Sequence, residues 1–190
     1  LTTGGGWLNY GSSSSAGVAS RLYTKLAAGN DTRTFTTTTA TDSAHIVLEV
    51  SGFDEGETFF NLVETAGNQS NGTAAPDSSL LNPTWPETLA TGWLAFMGWN
   101  RASGETLNSY PSNFTQNQTV SAVTENVAVA MSTRFTEVTA SLNPDAWALS
   151  AATGAHARTV AIRPAADGGA NTNTPSTGNK SIMGSFGMGF

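Results

Sequence analysis

The stretch that decides the fold covers residues 6–54, GWLNYGSSSSAGVASRLYTKLAAGNDTRTFTTTTATDSAHIVLEVSGFD. Four segments in it have the side-chain pattern of β-strands: GWLNYG at 6–11, RLYTKL at 21–26, TRTFTTTT at 32–39 and HIVLEV at 45–50. Alternation of polar and apolar residues places one set of side chains in a core and the other in solvent. Runs of Ser, Gly, Asn and Asp separate the segments, as turns do. The stretch therefore predicts four consecutive strands and shows no helical periodicity.

Further strand patterns follow in the rest of the chain. WLAFMGW at 93–99 is apolar at almost every position, which predicts a central strand buried on both faces. Between the first strands and this one, residues 67–91 contain three prolines and predict a long irregular loop that is functional or covers an edge. The remaining strands are predicted at 113–123, 126–134, 136–142, 145–150 and 157–163. Eight to ten short strands with this spacing predict an all-β fold, an antiparallel two-sheet sandwich or jelly roll, over residues 1–165.

Composition limits the classes of function. Charged residues make up 12% of the chain, about half the usual share, and the formal net charge is −6 with only 8 basic residues. Phosphate neutralisation needs clustered Lys or Arg, so we expect no nucleic-acid partner. No long apolar run is present, so we expect no membrane partner. The absence of cysteine excludes disulfides and favours a bacterial or viral origin. Because residue 1 is Leu, we expect either a removed leader or a longer parent chain.

The amino-acid composition of the chain changes after Pro164. Residues 166–190 begin with small and polar residues, a composition typical of a flexible arm. The arm ends in large apolar residues spaced by glycines, which cannot form a core of their own. We expect this end to dock into a groove on a neighbouring subunit rather than to fray, and deletion of 166–190 to leave the sandwich folded. The assembly residues are predicted to be Ile182, Met183, Phe186, Met188 and Phe190.

Catalytic arrangements find little support in the sequence. The two histidines, His45 and His156, lie far apart on strand-like segments, so each is interpreted as solvated or hydrogen-bonded. Four acidic residues lie close together in the sequence, Asp54, Glu55, Glu57 and Glu64. Paired carboxylates serve glycosidases, and such a group also binds calcium, but a solvated turn is the favoured interpretation. We therefore predict no catalytic residue, no cofactor and no metal site.

Aromatic residues offer an alternative function. Of the five tryptophans, Trp7, Trp93, Trp99 and Trp147 lie at or within strand segments, which predicts burial in a core. Trp85 and Tyr110 lie in predicted loops and are the candidates for stacking on a sugar. A carbohydrate-binding module or adhesin that contacts host glycans is thus the alternative to a structural role.

The order of these segments resembles the β-rich module of many virion structural proteins of tailed bacteriophages. The features that carry the resemblance are the Gly-Trp opening at 6–7, LYTKLA at 22–27, VSGFD at 50–54 and the closing RTVAIRPA at 158–165. The likeness covers about residues 4–165 and carries no catalytic residues.

This resemblance implies a structural role. Such modules form symmetric oligomers on the particle exterior, as head decoration or in tail and fibre parts. The implied partners are copies of the chain and other virion proteins. Low charge, absence of cysteine, polar turns and an apolar-tipped arm agree with that role independently.

Overall fold

Antiparallel β-strands form the regular structure of this protein. A computed structural model describes residues 2–3, 7–15, 18–27, 35–36, 43–50, 63–85, 91–121, 126–137, 140–163 and 181–189. Its strands are β1 Thr2–Thr3, β2 Leu8–Ser15, β3 Val18–Ala27, β4 Phe35–Thr36, β5 Ser43–Val50, β6 Val63–Thr73, β7 Thr91–Asn100, β8 Leu107–Ser109, β9 Gln116–Ser121, β10 Val127–Glu137, β11 Ala148–Leu149, β12 Thr153–Ile162 and β13 Ser181–Gly189. Within these ranges there is no helix and every strand pair is antiparallel. The all-β, antiparallel prediction is confirmed.

Two larger sheets contain most of the strands. A five-stranded sheet has the order β6-β12-β7-β10-β9, and a four-stranded sheet has the order β2-β3-β13-β5. The pairs β1-β4 and β11-β8 form two small additional sheets. None of the described segments is a helix long and apolar enough to pass through a membrane.

One hydrophobic cluster, the inter-sheet core, contains side chains from both larger sheets. The four-stranded sheet contributes residues from β3 and β5, and the five-stranded sheet contributes residues from β6, β7, β10 and β12. Its buried members are Val18, Leu22, Ala44, Ile46, Val50, Val63, Leu94, Phe96, Val127, Val129, Met131, Val160 and Ile162. Each large aliphatic or aromatic side chain removed from water contributes about 1.5–3 kcal/mol, so this shared cluster holds the two sheets together.

A second cluster, the outer core, covers the opposite face of the five-stranded sheet. The segments 74–85, 101–115 and 140–147, which are irregular apart from β8, pack their large side chains there against small strand residues. Its buried members are Leu81, Trp85, Trp93, Ala95, Met97, Trp99, Phe114, Ala128, Ala130, Leu142, Trp147, Leu149, Ala155, Ala157 and Ala161. The alanines leave the room that several indole rings need, so the sheet is buried on both faces.

The strand β7 shows how the sequence pattern produces this arrangement. Leu94 and Phe96 join the inter-sheet core, whereas the alternate residues Trp93, Met97 and Trp99 join the outer core. The strand lies at the centre of its sheet, between β12 and β10. The prediction of a central strand buried on both faces is confirmed, and so is the burial of Trp7, Trp93, Trp99 and Trp147.

The predicted loop over residues 67–91 is partly a strand. β6 extends to Thr73 and pairs with β12 from Val63 onward. Its sequence lacks apolar alternation because β6 is an edge strand, and Gly67 and Asn68 are exposed. The irregular part, 74–85, covers a face of the sheet rather than an edge. Residues 86–90 lie outside the described part of the chain.

The C-terminal segment differs most from its prediction. Residues 181–189, expected to lie in an extended arm, form β13, which is hydrogen-bonded to β3 on one side and β5 on the other. Each apolar residue of this segment gains a paired backbone on both sides, which an arm in water lacks. The four-stranded sheet is incomplete without β13, so we expect deletion of 166–190 to disrupt that sheet rather than to leave it folded, and the effect of the deletion stays a prediction. Residues 164–180 and Phe190 lie outside the described residues.

Candidate functional site

Polar side chains meet between the two sheets, next to the inter-sheet core. Ser20 on β3 and His156 on β12 are 0% and 2% exposed, and Ser20 Oγ lies 2.6 Å from His156 Nδ1 in a hydrogen bond. Alternation explains the placement, because Ser20 lies between the buried Val18 and Leu22 in the core-facing row of β3. The hydrogen bond links one sheet to the other across the core.

Arg158 extends this polar group along β12. It is 7% exposed, and its Nη1 donates to Thr65 Oγ1 on β6 at 3.1 Å. Gly67, on the same edge strand, lies under both side chains: an added Cβ would be 3.4 Å from His156 Cε1 and 3.6 Å from Arg158 Cζ. We call Ser20, Thr65, His156 and Arg158 the inter-sheet polar cluster.

A serine hydrogen-bonded to a histidine is also the arrangement of a nucleophile and its general base. Burial, and to a smaller extent the positive charge of Arg158, lowers the pKa of His156 to about 4. Burial also lowers the pKa of Arg158. A general base must become an imidazolium during the reaction, and a cation beside it disfavours that state. With both Ser20 and His156 buried as well, the geometry is that of a structural hydrogen bond.

The second arrangement of interest is the strand slot, which we define as the space between β3 and β5 that β13 fills. Phe186 pairs with Leu22 and Ile46, and Met188 pairs with Ser20 and Ala44. All four of these partners are buried.

The other predicted assembly residues occupy different rows of the same sheet. Ile182 pairs with the buried Val50. Met183 pairs with Lys25 and Glu49, and the latter is exposed. Phe186 and Met188 thus lie at register positions between two buried residues, Ile182 lies beside the buried Val50, and Met183 lies beside Lys25 and the exposed Glu49. Docking of these residues on a neighbouring subunit stays a prediction.

The predicted sugar-stacking residues are placed differently from expectation. Trp85 is only 8% exposed, belongs to the outer core, and donates its Nε1 proton to Thr91 Oγ1 at 3.0 Å. The loop that carries Trp85 folds over the sheet and buries its indole ring. Tyr110 is half-buried, its ring centroid lies 5.7 Å from that of Trp147, and its hydroxyl is hydrogen-bonded to Thr119. The structure does not bring Trp85 and Tyr110 together as an exposed platform, and glycan contact stays a prediction.

The acidic residues are only partly described. Asp54, Glu55 and Glu57 lie outside the described residues. Glu64 accepts hydrogen bonds from the backbone N–H and the hydroxyl of Thr84, at 2.9 and 2.6 Å, which fixes the end of segment 74–85 against β6. Among the described residues, no group of three or more His, Asp or Glu side chains is arranged to hold a metal ion.

Sequence reasoning missed both arrangements. Alternation places Ser20 and His156 on core-facing rows, but it carries no signal for which row of the second sheet lies opposite. The strand slot was missed because Gly184, Gly187 and Gly189 give β13 the composition of a flexible segment. The available signal was the period-two spacing of Ile182, Phe186 and Met188.

Comparisons with known proteins add no relative to this description: family models, curated proteins and solved structures all gave no match.

Proposed function

We propose that this chain is a non-enzymatic structural protein of a tailed-bacteriophage particle. It lies on the particle exterior, as capsid decoration or as a tail or fibre component, and assembles as a symmetric oligomer. Its partners are copies of itself and other virion proteins. The finer fold that we propose is a two-sheet sandwich, which the shared inter-sheet core supports.

The observation that carries the proposal is the position of β13. The last described strand completes a sheet by pairing over its length with β3 and β5, two strands from the other end of the chain. Strand addition of this kind uses backbone hydrogen bonds for affinity and alternate side chains for specificity, as strand-mediated recognition does between proteins. A terminal strand that completes a sheet suits a protein whose work is adhesion.

The chemistry of the described residues supports the same role. The buried histidine is a weak base beside a cation, and the described tryptophans fill cores. The resemblance of residues 4–165 to virion modules of tailed bacteriophages is the reason why we propose a phage particle as the assembly.

Particles purified by density gradient from cells that produce this protein provide the test. An antibody against the chain should label the particle exterior in electron micrographs, and the chain should sediment with intact particles. Deletion of 181–190 should remove it from particles, whereas replacement of 164–180 by a Gly/Ser sequence of equal length is the matched control and should retain it. A chain that never sediments with particles would contradict the proposal.

A further inference from the structure

The strand slot is filled by a segment that is distant in sequence from both of its neighbours. β5 has β13 as its only partner among the described strands, and β13 begins at Ser181 whereas β5 ends at Val50. The contacts that hold β5 in the sheet therefore come from the far end of a chain. These contacts depend on the sequence of residues 181–189. They are the same whether that segment belongs to the same chain or to another copy.

The connection to β13 is long and carries no large apolar residue. Residues 164–180 read PAADGGANTNTPSTGNK. At about 3.3–3.6 Å per residue such a segment spans at most about 60 Å. A folded domain of this size has a radius of gyration of only about 16 Å, so the connection is long enough to reach an adjacent copy.

We propose that the strand slot is an acceptor site for residues 181–189 of a second copy, so that adjacent copies exchange β13. This inference deepens the proposed function and rests on its assembled state. A chain connection of this length gives an intrachain strand an effective concentration of about 1 mM. Copies held side by side in a symmetric assembly reach comparable local concentrations, and exchange then adds links without a new type of contact.

The absence of cysteine from the chain gives a clean test. Val47 on β5 and Ser185 on β13 are paired in register, so Val47→Cys and Ser185→Cys place two thiols opposite each other. The two single variants are unfolded together in urea, refolded at about 1 mM and oxidised. Exchange predicts a covalent dimer that contains one chain of each variant.

A matched control uses Ser181→Cys in place of Ser185→Cys. Ser181 lies four residues before Ser185 in β13. The distance between the two positions is about 13 Å, which exceeds the separation that a disulfide bridges. This mixture should give no covalent dimer above background. The double variant Val47→Cys/Ser185→Cys should form covalent oligomers at high concentration and an internal disulfide in dilute solution.

Two results would overturn the inference. In one, the mixture stays monomeric while the double variant forms its internal disulfide at every concentration. In the other, the double variant forms no disulfide at all, so β13 does not occupy the slot. Incorporation of the internally locked double variant into particles is measured separately: if it is incorporated without exchange, the exchange idea fails and the proposed function stands.

Discussion

Thr24 and Thr159 are two buried threonines whose hydroxyls have different surroundings. Thr159 Oγ1 donates to the Ser79 carbonyl oxygen at 2.8 Å. Thr24 Oγ1 is buried without a hydrogen-bond partner in the part of the chain that the structure describes. Thr24 also lines a cavity of about 20 Å³, together with apolar residues only: Leu22, Leu48, Val50, Val63, Leu94, Phe96, Val160 and Ile162. Its lining is apolar and offers a water molecule none of the two to four polar partners that an ordered buried water needs.

The matched substitutions Thr24→Val and Thr159→Val should therefore shift the free energy of unfolding in opposite directions. Thr24→Val removes a buried, unsatisfied hydroxyl and should stabilise the protein by about 1 kcal/mol. Thr159→Val breaks a hydrogen bond and leaves a carbonyl without its donor, which should destabilise by about 1–2 kcal/mol. Urea denaturation measures both values, and a loss of stability for Thr24→Val would contradict the assignment.

His156 should make stability depend on pH. Its pKa of about 4 in the folded protein lies below the value of 6.5 expected in the unfolded chain. Between these values the unfolded chain binds a proton that the folded chain does not, so stability is complete above pH 6.5 and falls as pH decreases toward 4. Between pH 7 and pH 5 the expected loss is about 2 kcal/mol.

The control for this prediction is His156→Asn, which keeps a side chain able to hydrogen-bond Ser20 and removes the titration. Its unfolding free energy should change less between pH 7 and pH 5 than that of the parent protein. NMR titration of the His156 ring provides an independent measurement. An imidazole that protonates near pH 6.5 in the folded state would refute the buried, neutral assignment.

Among the structural elements, those with local periodic signals were predictable from the sequence. The apolar run at 93–99 predicts β7, and the alternation at 45–50 predicts β5 with Ile46, Leu48 and Val50 on one face. In the structure Ile46 and Val50 are buried and Leu48 is half-buried. The sequence pattern does not predict the full length of β6, because an edge strand needs no apolar alternation. β13 was assigned to an arm because its glycines suppress the local strand signal, and its partners β3 and β5 lie more than a hundred residues away.

The inter-sheet polar cluster was beyond prediction for a related reason. The sequence identifies the faces on which Ser20 and His156 lie, but contact between faces depends on how two sheets stack. Likewise, the burial of Trp85 depends on the path of segment 74–85 over the outer face. In both cases the determining contacts are non-local.

Removal of β13 should disrupt the four-stranded sheet. Deletion of 181–190 exposes the inner edges of β3 and β5 and takes away the only described strand partner of β5. We expect cooperative thermal unfolding to be lost or the melting temperature to fall sharply, as measured by circular dichroism. Replacement of 164–180 by a Gly/Ser sequence of equal length should leave the melting temperature nearly unchanged. A truncated chain with the parent melting temperature would be the contrary result.

The whole molecule has three layers, and two hydrophobic cores hold them in contact. The four-stranded sheet packs on the five-stranded sheet, and irregular segments cover the outer face of the latter. The last described strand completes the first layer, so the folded unit depends on both ends of its sequence. In the proposed assembly, neighbouring copies are joined through the same backbone pairing that completes the sheet within one chain.

Amide hydrogen exchange of residues 181–189 in the intact chain reports most directly whether β13 is paired in a sheet, whichever copy supplies it. If β13 is paired on both sides, protection of these amides should approach that of the β7 amides, since an inner strand opens only when its sheet opens. Exchange of residues 181–189 at the rate of an unstructured peptide, with β7 still protected, would contradict it.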